Sequence, residues 1–206
     1  SDAVGLPKHD LETPTLCLDL DIYERNVARM ADHIIRRCGI AWRPHMKGQK
    51  APPLAQRAVA AGAIGVTCAT VYEAEAMVDA GVTSILVANQ IVGERKTRRL
   101  ARLQHRAQVI TATDSEEQLA QLSAAATAEG AAIPVIIEMN VGMNRSGTLP
   151  GEDTVRMAAA AHAAPGIRFL GLMAWEGHTL IFDHEEKAAK IRECIGALVD
   201  TAAQCR

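Results

Sequence analysis

"SILVANQ" (84–90), followed by "ERKTRRLARLQHRA" (94–107), shows the pattern that decides the fold. A short, nearly continuous apolar run is typical of a strand covered on both faces, and the stretch after it reads as a helix. The alternation recurs in "QVITATD" (108–114) with "SEEQLAQLSAAATAEG" (115–130). Because such units follow one another without a hairpin signal, the sequence predicts an α/β protein whose parallel strands are wound in one direction.

Polar residues at the ends of successive strands distinguish two ways of arranging these units. An open, doubly wound sheet places its ligand site at one switch point, whereas a (β/α)8 barrel gathers the carboxyl ends of all strands around one mouth. No G-x-G-x-x-G sequence follows the first predicted strand, "TLCLDL" (15–20), which disfavours a dinucleotide-binding sheet. The polar residues that follow the strands favour a TIM-type (β/α)8 barrel: Lys47, Thr70, Asn89, Asn140 and His178.

The number of units predicts that this barrel is incomplete. After "TLCLDL" we count about six strand–helix units, where a barrel has eight. The first helix is predicted over 22–38, with Asp21 as its N-cap and Gly39 at its end, and Ser115 with Gln118 resembles a capping box. We therefore expect residues 1–206 to form one barrel domain, a fragment that lacks the last barrel units.

Composition excludes several classes of function. Lys and Arg number 22 and Asp and Glu 24, and the net charge of −2 gives no basic surface for nucleic acid or an anionic membrane. No stretch reaches the ~20 apolar residues of a membrane span. The five cysteines lack C-x-x-C spacing, and the first residues lack the apolar core of a signal peptide. These features predict a cytoplasmic protein.

"AWRPHMKGQK" (41–50) places two lysines and a histidine in and after a predicted strand. Alternation along a strand puts Arg43, His45 and Lys47 on one face and leaves Lys50 in the following turn, where it should reach solvent. Burial beside like charges would favour the neutral amine of Lys47, which is the form that attacks an aldehyde. The alternative is that both lysines are ordinary surface residues.

Several motifs, in order along the chain, resemble the D-threonine aldolase and D-serine dehydratase-like family, whose members are fold type III pyridoxal phosphate enzymes built on the alanine racemase barrel. "RPHMK" (43–47) resembles the lysine motif of that family. The segments "ANQIVG" (88–93) and "GLMAWEGH" (171–178) are most similar to D-threonine aldolases. The other matching segments are "TPTLCLDL" (13–20), "GVTCATVYEAEAMVDAG" (65–81) and "MNVGMNRSG" (139–147).

The resemblance implies a role for each candidate site residue. Lys47 matches the lysine that binds pyridoxal phosphate covalently, and Arg145 matches an arginine that contacts the cofactor ring oxygen. His178 matches the histidine proposed as the base on the substrate β-hydroxyl, and histidine is the residue type most used for proton transfer near neutral pH. Arg43 and His45 belong to the lysine motif and are expected to lie beside Lys47. Arg145 could alternatively be a turn residue, and His178 could simply cap a loop.

The implied reaction is the cleavage of a D-β-hydroxy-α-amino acid, such as D-threonine, to glycine and an aldehyde. D-serine dehydration and 3-hydroxyaspartate cleavage remain alternatives on the same scaffold. A cofactor-binding protein without turnover and a barrel enzyme that uses no pyridoxal phosphate are further alternatives, because a fold does not fix a function.

Departures from the family pattern concern the substrate and the metal. Gly48 and Gln49 stand where Thr-His is usual, and Asn140 replaces an aspartate. Trp175 replaces a tyrosine and is itself a candidate cofactor-binding residue. The resemblance also implies a homodimer and a divalent metal, Mn or Mg. Its ligands would come from a C-terminal β-domain outside this chain, so no metal ligand is predicted within it. The phosphate-binding loop is likewise expected from a later strand.

Overall fold

A computed structural model, which describes residues 3–206, contains a parallel sheet whose strands alternate with helices. The strands are β1 (Val66–Cys68), β2 (Ser84–Gln90), β3 (Gln108–Thr113), β4 (Ile133–Met139) and β5 (Ile167–Ala174). The helices are α1 (Leu20–Ala31), α2 (Pro52–Ala60), α3 (Val71–Asp79), α4 (Glu94–Leu103), α5 (Glu116–Ala128), α6 (Glu152–Ala163) and α7 (His184–Gln204). Lys8–Asp10 and Gly177–Ile181 form short 3-10 turns, and Asp32–Arg37 is π-helical.

The strands lie in the sheet in their order along the chain, and each neighbouring pair is parallel. In a barrel each strand lies beside the next strand of the sequence, as it does here. In a doubly wound sheet the strand order reverses direction at the switch point. The predicted winding is therefore confirmed, and the doubly wound alternative is wrong. Within residues 3–206 the five strands form an open arc.

The core between the arc and its outer helices explains the apolar runs of the sequence. Strands β3 and β4 are buried along nearly their whole length. The predicted cap at Ser115 is present, because its side chain accepts a hydrogen bond from the Gln118 amide. No helix within the described range 3–206 is both long and apolar enough to cross a membrane. Large side chains that are fully buried in this core include Leu100, Leu122, Ile133 and Ile137.

The strand predicted over 15–20 is wrong. This segment has no regular structure up to Asp19, and Leu16 and Leu18 are exposed because no neighbouring strand covers them. The carboxylate of Asp19 accepts a hydrogen bond from the Ile22 amide at 3.0 Å, so helix α1 begins at Leu20. The N-cap is thus Asp19 rather than Asp21. Gly39, with φ of +66°, follows the π-helical end as predicted.

The segment 42–46 runs parallel to β1 without forming a full strand. The Met46 amide donates to the Thr67 carbonyl at 2.7 Å, and the Thr67 amide donates to the Pro44 carbonyl at 2.8 Å. Because Pro44 has no N–H, the ladder is interrupted and only His45 forms a bridge, with Thr67. Trp42 and Met46 are buried.

Candidate active site

Three segments meet at the carboxyl end of the sheet: the turn after 42–46, the loop after β4 and the loop after β5. The ring of Trp175, directly after β5, is their common contact. The amine of Lys47 lies 5.7 Å from the centroid of the ring, and the guanidinium carbon of Arg145 lies 4.7 Å from it. Both distances are within the range of a cation–π interaction. Three of the predicted site residues are therefore brought together.

His45 lies beneath the backbone of Lys47. Its Nδ1 accepts a hydrogen bond from the Lys47 amide at 3.2 Å, which assigns the proton of the neutral ring to Nε2. Burial lowers the pKa of His45 below its ordinary value of 6.5, and the positive charge of Lys47 lowers it further. The imidazole is therefore neutral at physiological pH and serves as an acceptor. Lys47 itself is exposed, so the burial expected around its amine is absent.

Arg145 is linked to a buried carboxylate that the sequence reasoning missed. Its Nη2 lies 3.9 Å from Oε1 of Glu138, which is only 5% exposed at the end of β4. The other oxygen of Glu138 accepts a hydrogen bond from the side chain of Gln90, at the end of β2. A lone carboxylate in the apolar run of β4 is a signal that could have identified Glu138, because unpaired buried charges are costly.

Asn140 organises the loop that carries Arg145. Its Oδ1 accepts hydrogen bonds from the amides of Gly142 at 3.0 Å and Asn144 at 3.1 Å. Asn144 adopts a positive φ of +52°, which asparagine tolerates better than most residues. The amide of Gly147 donates to Asp114 at 2.8 Å and ties the end of the loop to the segment after β3. The loop is thus fixed at both ends, and Arg145 between them contacts Trp175.

His178 is placed on the 3-10 turn Gly177–Ile181, against the loop after β4. A Cβ on Gly142, whose φ is +119°, would lie 2.7 Å from Nε2 of His178, so a larger residue there would strain the backbone and displace the imidazole. The same nitrogen lies 4.0 Å from Sγ of Cys194 on α7, and the thiol donates to the Val141 carbonyl at 3.2 Å. Nδ1 is buried and has no hydrogen-bond partner within residues 3–206. Among those residues no hydrogen bond joins His178 to Lys47.

Arg43 lies at the opposite end of the sheet, which corrects the expected placement beside Lys47. Its guanidinium donates to the carbonyl of Ser84 at 3.2 Å and to its hydroxyl at 3.0 Å, and Ser84 begins β2. Residues four apart in an extended segment share a face but are separated by about 13 Å along it. Arg43 therefore fixes the amino end of the sheet.

The sequence predicted that Lys50 reaches solvent, and this prediction is incomplete. Its side chain is 61% exposed, but its amine forms an ion pair with the carboxylate of Glu73 on α3. Glu73 is buried, and the chain gives no local sign that residues separated by 23 positions will pair.

A family model described as "Alanine racemase, N-terminal domain" matches residues 18–206. The chain belongs to this family. The suspected membership in the alanine racemase-type barrel group is thereby confirmed.

Two relatives of this alanine racemase-type chain have names that describe aldolases. D-threonine aldolase of Arthrobacter sp. is 35% identical over 187 residues, which are 91% of this chain and 49% of that protein. 3-hydroxy-D-aspartate aldolase of Paracoccus denitrificans (strain Pd 1222) is 34% identical over 194 residues, covering 93% of this chain and 50% of that protein. The chain thus spans about half the length of the curated relatives it matches.

A solved structure with the same fold supports the family assignment. The crystal structure of D-threonine aldolase from Filomicrobium marinum matches with a TM-score of 0.93 at 42% identity. The match covers 97% of this chain and 54% of that one. The barrel-type fold class predicted from the sequence is confirmed.

Proposed function

We propose that residues 1–206 form the cofactor-binding barrel domain of a pyridoxal phosphate-dependent lyase. The proposed substrate is a D-β-hydroxy-α-amino acid such as D-threonine, cleaved to glycine and an aldehyde. The observation that carries the proposal is the convergence of Lys47 and Arg145 on the ring of Trp175 at the carboxyl end of the sheet. The names of the aldolase relatives support the substrate class.

The charges and shapes at this end of the sheet fit such a cofactor. Lys47 and Arg145 supply two positive groups for an anionic ligand, and an indole face suits a planar ring. Lys47 would bind the cofactor aldehyde through its amine. Arg145, Trp175 and His45 would surround it, and neutral His45 adds no further positive charge.

The proposal of a divalent Mn or Mg ion rests on the family resemblance. Within residues 3–206, no group of three or more His, Cys, Asp or Glu side chains is arranged to hold a metal. We therefore assign no step of the reaction to a metal.

The chain supplies the proton acceptor and the binding groups of the proposed cleavage. Bound pyridoxal phosphate provides the electron sink for the negative charge left at Cα when the Cα–Cβ bond breaks. His178, whose buried Nδ1 has no hydrogen-bond partner among residues 3–206, is the proposed acceptor for the β-hydroxyl proton once its ring turns toward the substrate. Arg145 is the candidate to bind the substrate carboxylate, because a guanidinium matches it with two parallel hydrogen bonds. A positioned base contributes roughly 10²–10⁴-fold to such a rate.

A second substrate, 3-hydroxyaspartate, is favoured by the relative from Paracoccus denitrificans, whose identity to this chain is 34% against 35% for the Arthrobacter relative. Retro-aldol cleavage of this compound releases glycine and glyoxylate, whereas D-threonine releases glycine and acetaldehyde. Measuring the aldehyde product with each substrate therefore separates the two. Pyruvate and ammonia from D-serine would indicate dehydration instead.

The test of cofactor binding compares two lysine variants. We expect the purified chain to take up pyridoxal phosphate with a visible absorption band, and borohydride to fix the cofactor on Lys47 in a peptide mass measurement. Lys47→Ala should lose both signals, and Lys50→Ala should still carry the cofactor at Lys47. Labelling that is lost only in Lys50→Ala would refute the assignment. A trapped cofactor without cleavage of any of the three substrates would favour a non-catalytic binding protein.

We also propose a cytoplasmic location and a homodimer. Free thiols at all five cysteines support a reducing compartment. The exposed side chains of Leu180 and Ile181, next to His178, support an apolar contact with a second copy near the site. Size-exclusion chromatography with light scattering would test the dimer.

A further inference from the structure

The turn that carries Lys47 is closed by backbone hydrogen bonds. The Lys50 amide donates to the Met46 carbonyl at 2.7 Å, so residues 46–50 form a single closed turn. Its first residue is anchored to β1, because the Met46 amide donates to the Thr67 carbonyl. Gly48 and Gln49, where the chain departs from the family pattern, lie in this turn.

The last residue of the turn has an unfavourable backbone conformation. Lys50 has a φ of +50°, in the left-handed region that costs a residue with a Cβ some free energy. Such a conformation persists when surrounding contacts determine it. For Lys50 the contacts are the backbone hydrogen bond to Met46 and the ion pair between its amine and the carboxylate of Glu73.

Glu73 connects this turn to the carboxyl end of β1. Its Oε1 pairs with Lys50, and its Oε2 accepts a hydrogen bond at 2.7 Å from the amide of Ala69, the first residue after β1. Its own amide donates to Thr70 at 3.1 Å, which fixes Glu73 in the first turn of α3. Burial tends to raise the pKa of Glu73, but the bonds from Lys50 and Ala69 outweigh it, so the pKa is lowered. The carboxylate is thus ionised and shared between two segments.

We propose that Lys50 and Glu73 are positioning residues for Lys47. Their ion pair holds the turn 46–50 on the end of β1 and so keeps the Lys47 amine over the ring of Trp175. The cofactor part of this inference rests on the proposed function, but the position of the Lys47 amine does not. Neither side chain touches the proposed cofactor in this role.

The first experiment measures the position of Lys47 in protein without cofactor. Reductive methylation with carbon-13 formaldehyde labels the lysine amines, and the Trp175 ring shifts the nuclear magnetic resonance signal of Lys47, identified by its absence in Lys47→Arg. We expect Lys50→Met and Glu73→Gln to move this signal toward those of exposed lysines. Lys190→Met, which breaks an exposed ion pair with Glu193 on α7, should leave it unchanged.

The second experiment measures how fast borohydride-trapped pyridoxal phosphate accumulates on Lys47. Displacement of a reacting group by about 1 Å can cost ~100-fold, so we expect Lys50→Met and Glu73→Gln to slow trapping by ~10–100-fold. Lys50→Arg retains the positive charge and should restore most of the rate. Lys50→Gly relieves the positive φ without restoring the ion pair and should be as slow as Lys50→Met.

The outcomes separate this inference from the proposed function. An unshifted Lys47 signal in Lys50→Met and Glu73→Gln, or wild-type trapping rates in both, would overturn the positioning role. A wild-type rate in Lys50→Gly alone would assign the effect to backbone strain and would also overturn it. If the wild-type chain traps no cofactor on Lys47, the proposed function fails, while the resonance experiment still decides whether the ion pair positions the amine.

Discussion

Trp175 takes its position because the residue two places after it has no side chain. A Cβ built on Gly177 would overlap the indole ring. The ring can therefore fold back over the chain and reach both Lys47 and Arg145. The glycine of "WEGH" thus allows the Trp175 ring to pack closely against the backbone.

Gly177→Ala should displace the Trp175 ring from both cations. Each cation–π contact is worth about 0.5–1 kcal/mol at an exposed site, so we expect the free energy of unfolding to fall by about 1–2 kcal/mol. Trp42 is 8% exposed and Trp175 40%, so acrylamide quenching of fluorescence reports mainly on Trp175 and should increase. Gly196→Ala is the matched control in α7, because nothing lies within 4 Å of its added Cβ. It should be neutral or stabilising by about 0.5–1 kcal/mol, since alanine favours a helix. Unchanged quenching in Gly177→Ala would contradict the packing argument.

His45 gives stability a defined pH dependence. Its pKa in the folded chain lies below the unfolded value of 6.5 because of burial and the charge of Lys47. The unfolded chain therefore binds this proton first as the pH falls, and stability decreases from about pH 6.5 toward the folded pKa. We expect the thermal midpoint of His45→Asn to decline less than that of the wild type between about pH 8 and about pH 5. Asparagine can still accept the hydrogen bond of the Lys47 amide.

The pH dependence of Glu73 provides an internal check. Its folded pKa lies below 4.5, so the stability that it contributes is present above that value and is lost only as the pH falls through the folded pKa. A decline between about pH 6.5 and about pH 5 that persists unchanged in His45→Asn would show that another group is responsible.

At the scale of elements, β1 and β2 approach each other closely where they begin. Gly65 has a φ of +142°, and a Cβ there would overlap the carbonyl of Ser84 and the guanidinium of Arg43. The same guanidinium bonds to the start of β2. This glycine therefore allows Arg43 to join the two strands at their amino ends.

Gly65→Ala should disrupt this junction. Gly81, after α3, also has a positive φ of +87° but nothing lies within 4 Å of its added Cβ, so Gly81→Ala measures conformational strain alone. We expect Gly81→Ala to cost about 1–2 kcal/mol and Gly65→Ala clearly more, ~3 kcal/mol or above. Urea unfolding of both variants provides the measurement. Equal losses would mean that contact with Ser84 and Arg43 adds nothing to the strain.

At the scale of the whole molecule, the strands differ in how completely they are covered. Strand β3 lies between β2 and β4 and is buried from Val109 to Thr113. Within residues 3–206, β5 pairs with β4 alone, and each of its residues is either half-buried or exposed. The centre of the arc is therefore expected to open only when the whole domain unfolds.

Hydrogen exchange should resolve this difference. We expect amides of β3 to exchange at the rate of global unfolding and those of β5 at least ~10-fold faster, a difference of about 1.4 kcal/mol in opening free energy. Mass spectrometry of peptides spanning 108–113 and 167–174 would measure both in one sample. Equal protection of the two strands would contradict this order of local stability.

How much could be predicted depended on whether a feature is local in sequence. The sequential strand order and the cap at Ser115 follow from periodicity and nearby residues, and both are present. The segment 15–20 has the composition of a strand, but no neighbouring strand covers it. Composition does not reveal whether a segment will find a strand to pair with. Strand alternation placed Arg43 on the same face as Lys47 but did not show that the two residues lie at opposite ends of the sheet.

Contacts between distant positions could not be predicted. The pairs Lys50–Glu73 and Gln90–Glu138 form only because the parallel arrangement brings strand ends together. The family resemblance identified Lys47 and Arg145 as site residues but did not identify the residues that hold them in place. The catalytic roles of Lys47, Arg145 and His178 stay predictions.

The position of Arg43 has a consequence for how this kind of protein can diversify. Its bonds to Ser84 secure the framework at one end of the sheet, and Gly48, Gln49 and Trp175, which depart from the family pattern, all lie at the other. Substitutions in those loops leave the Arg43 junction intact. Selection for a new ligand can therefore act on one end of the domain with little penalty at the other.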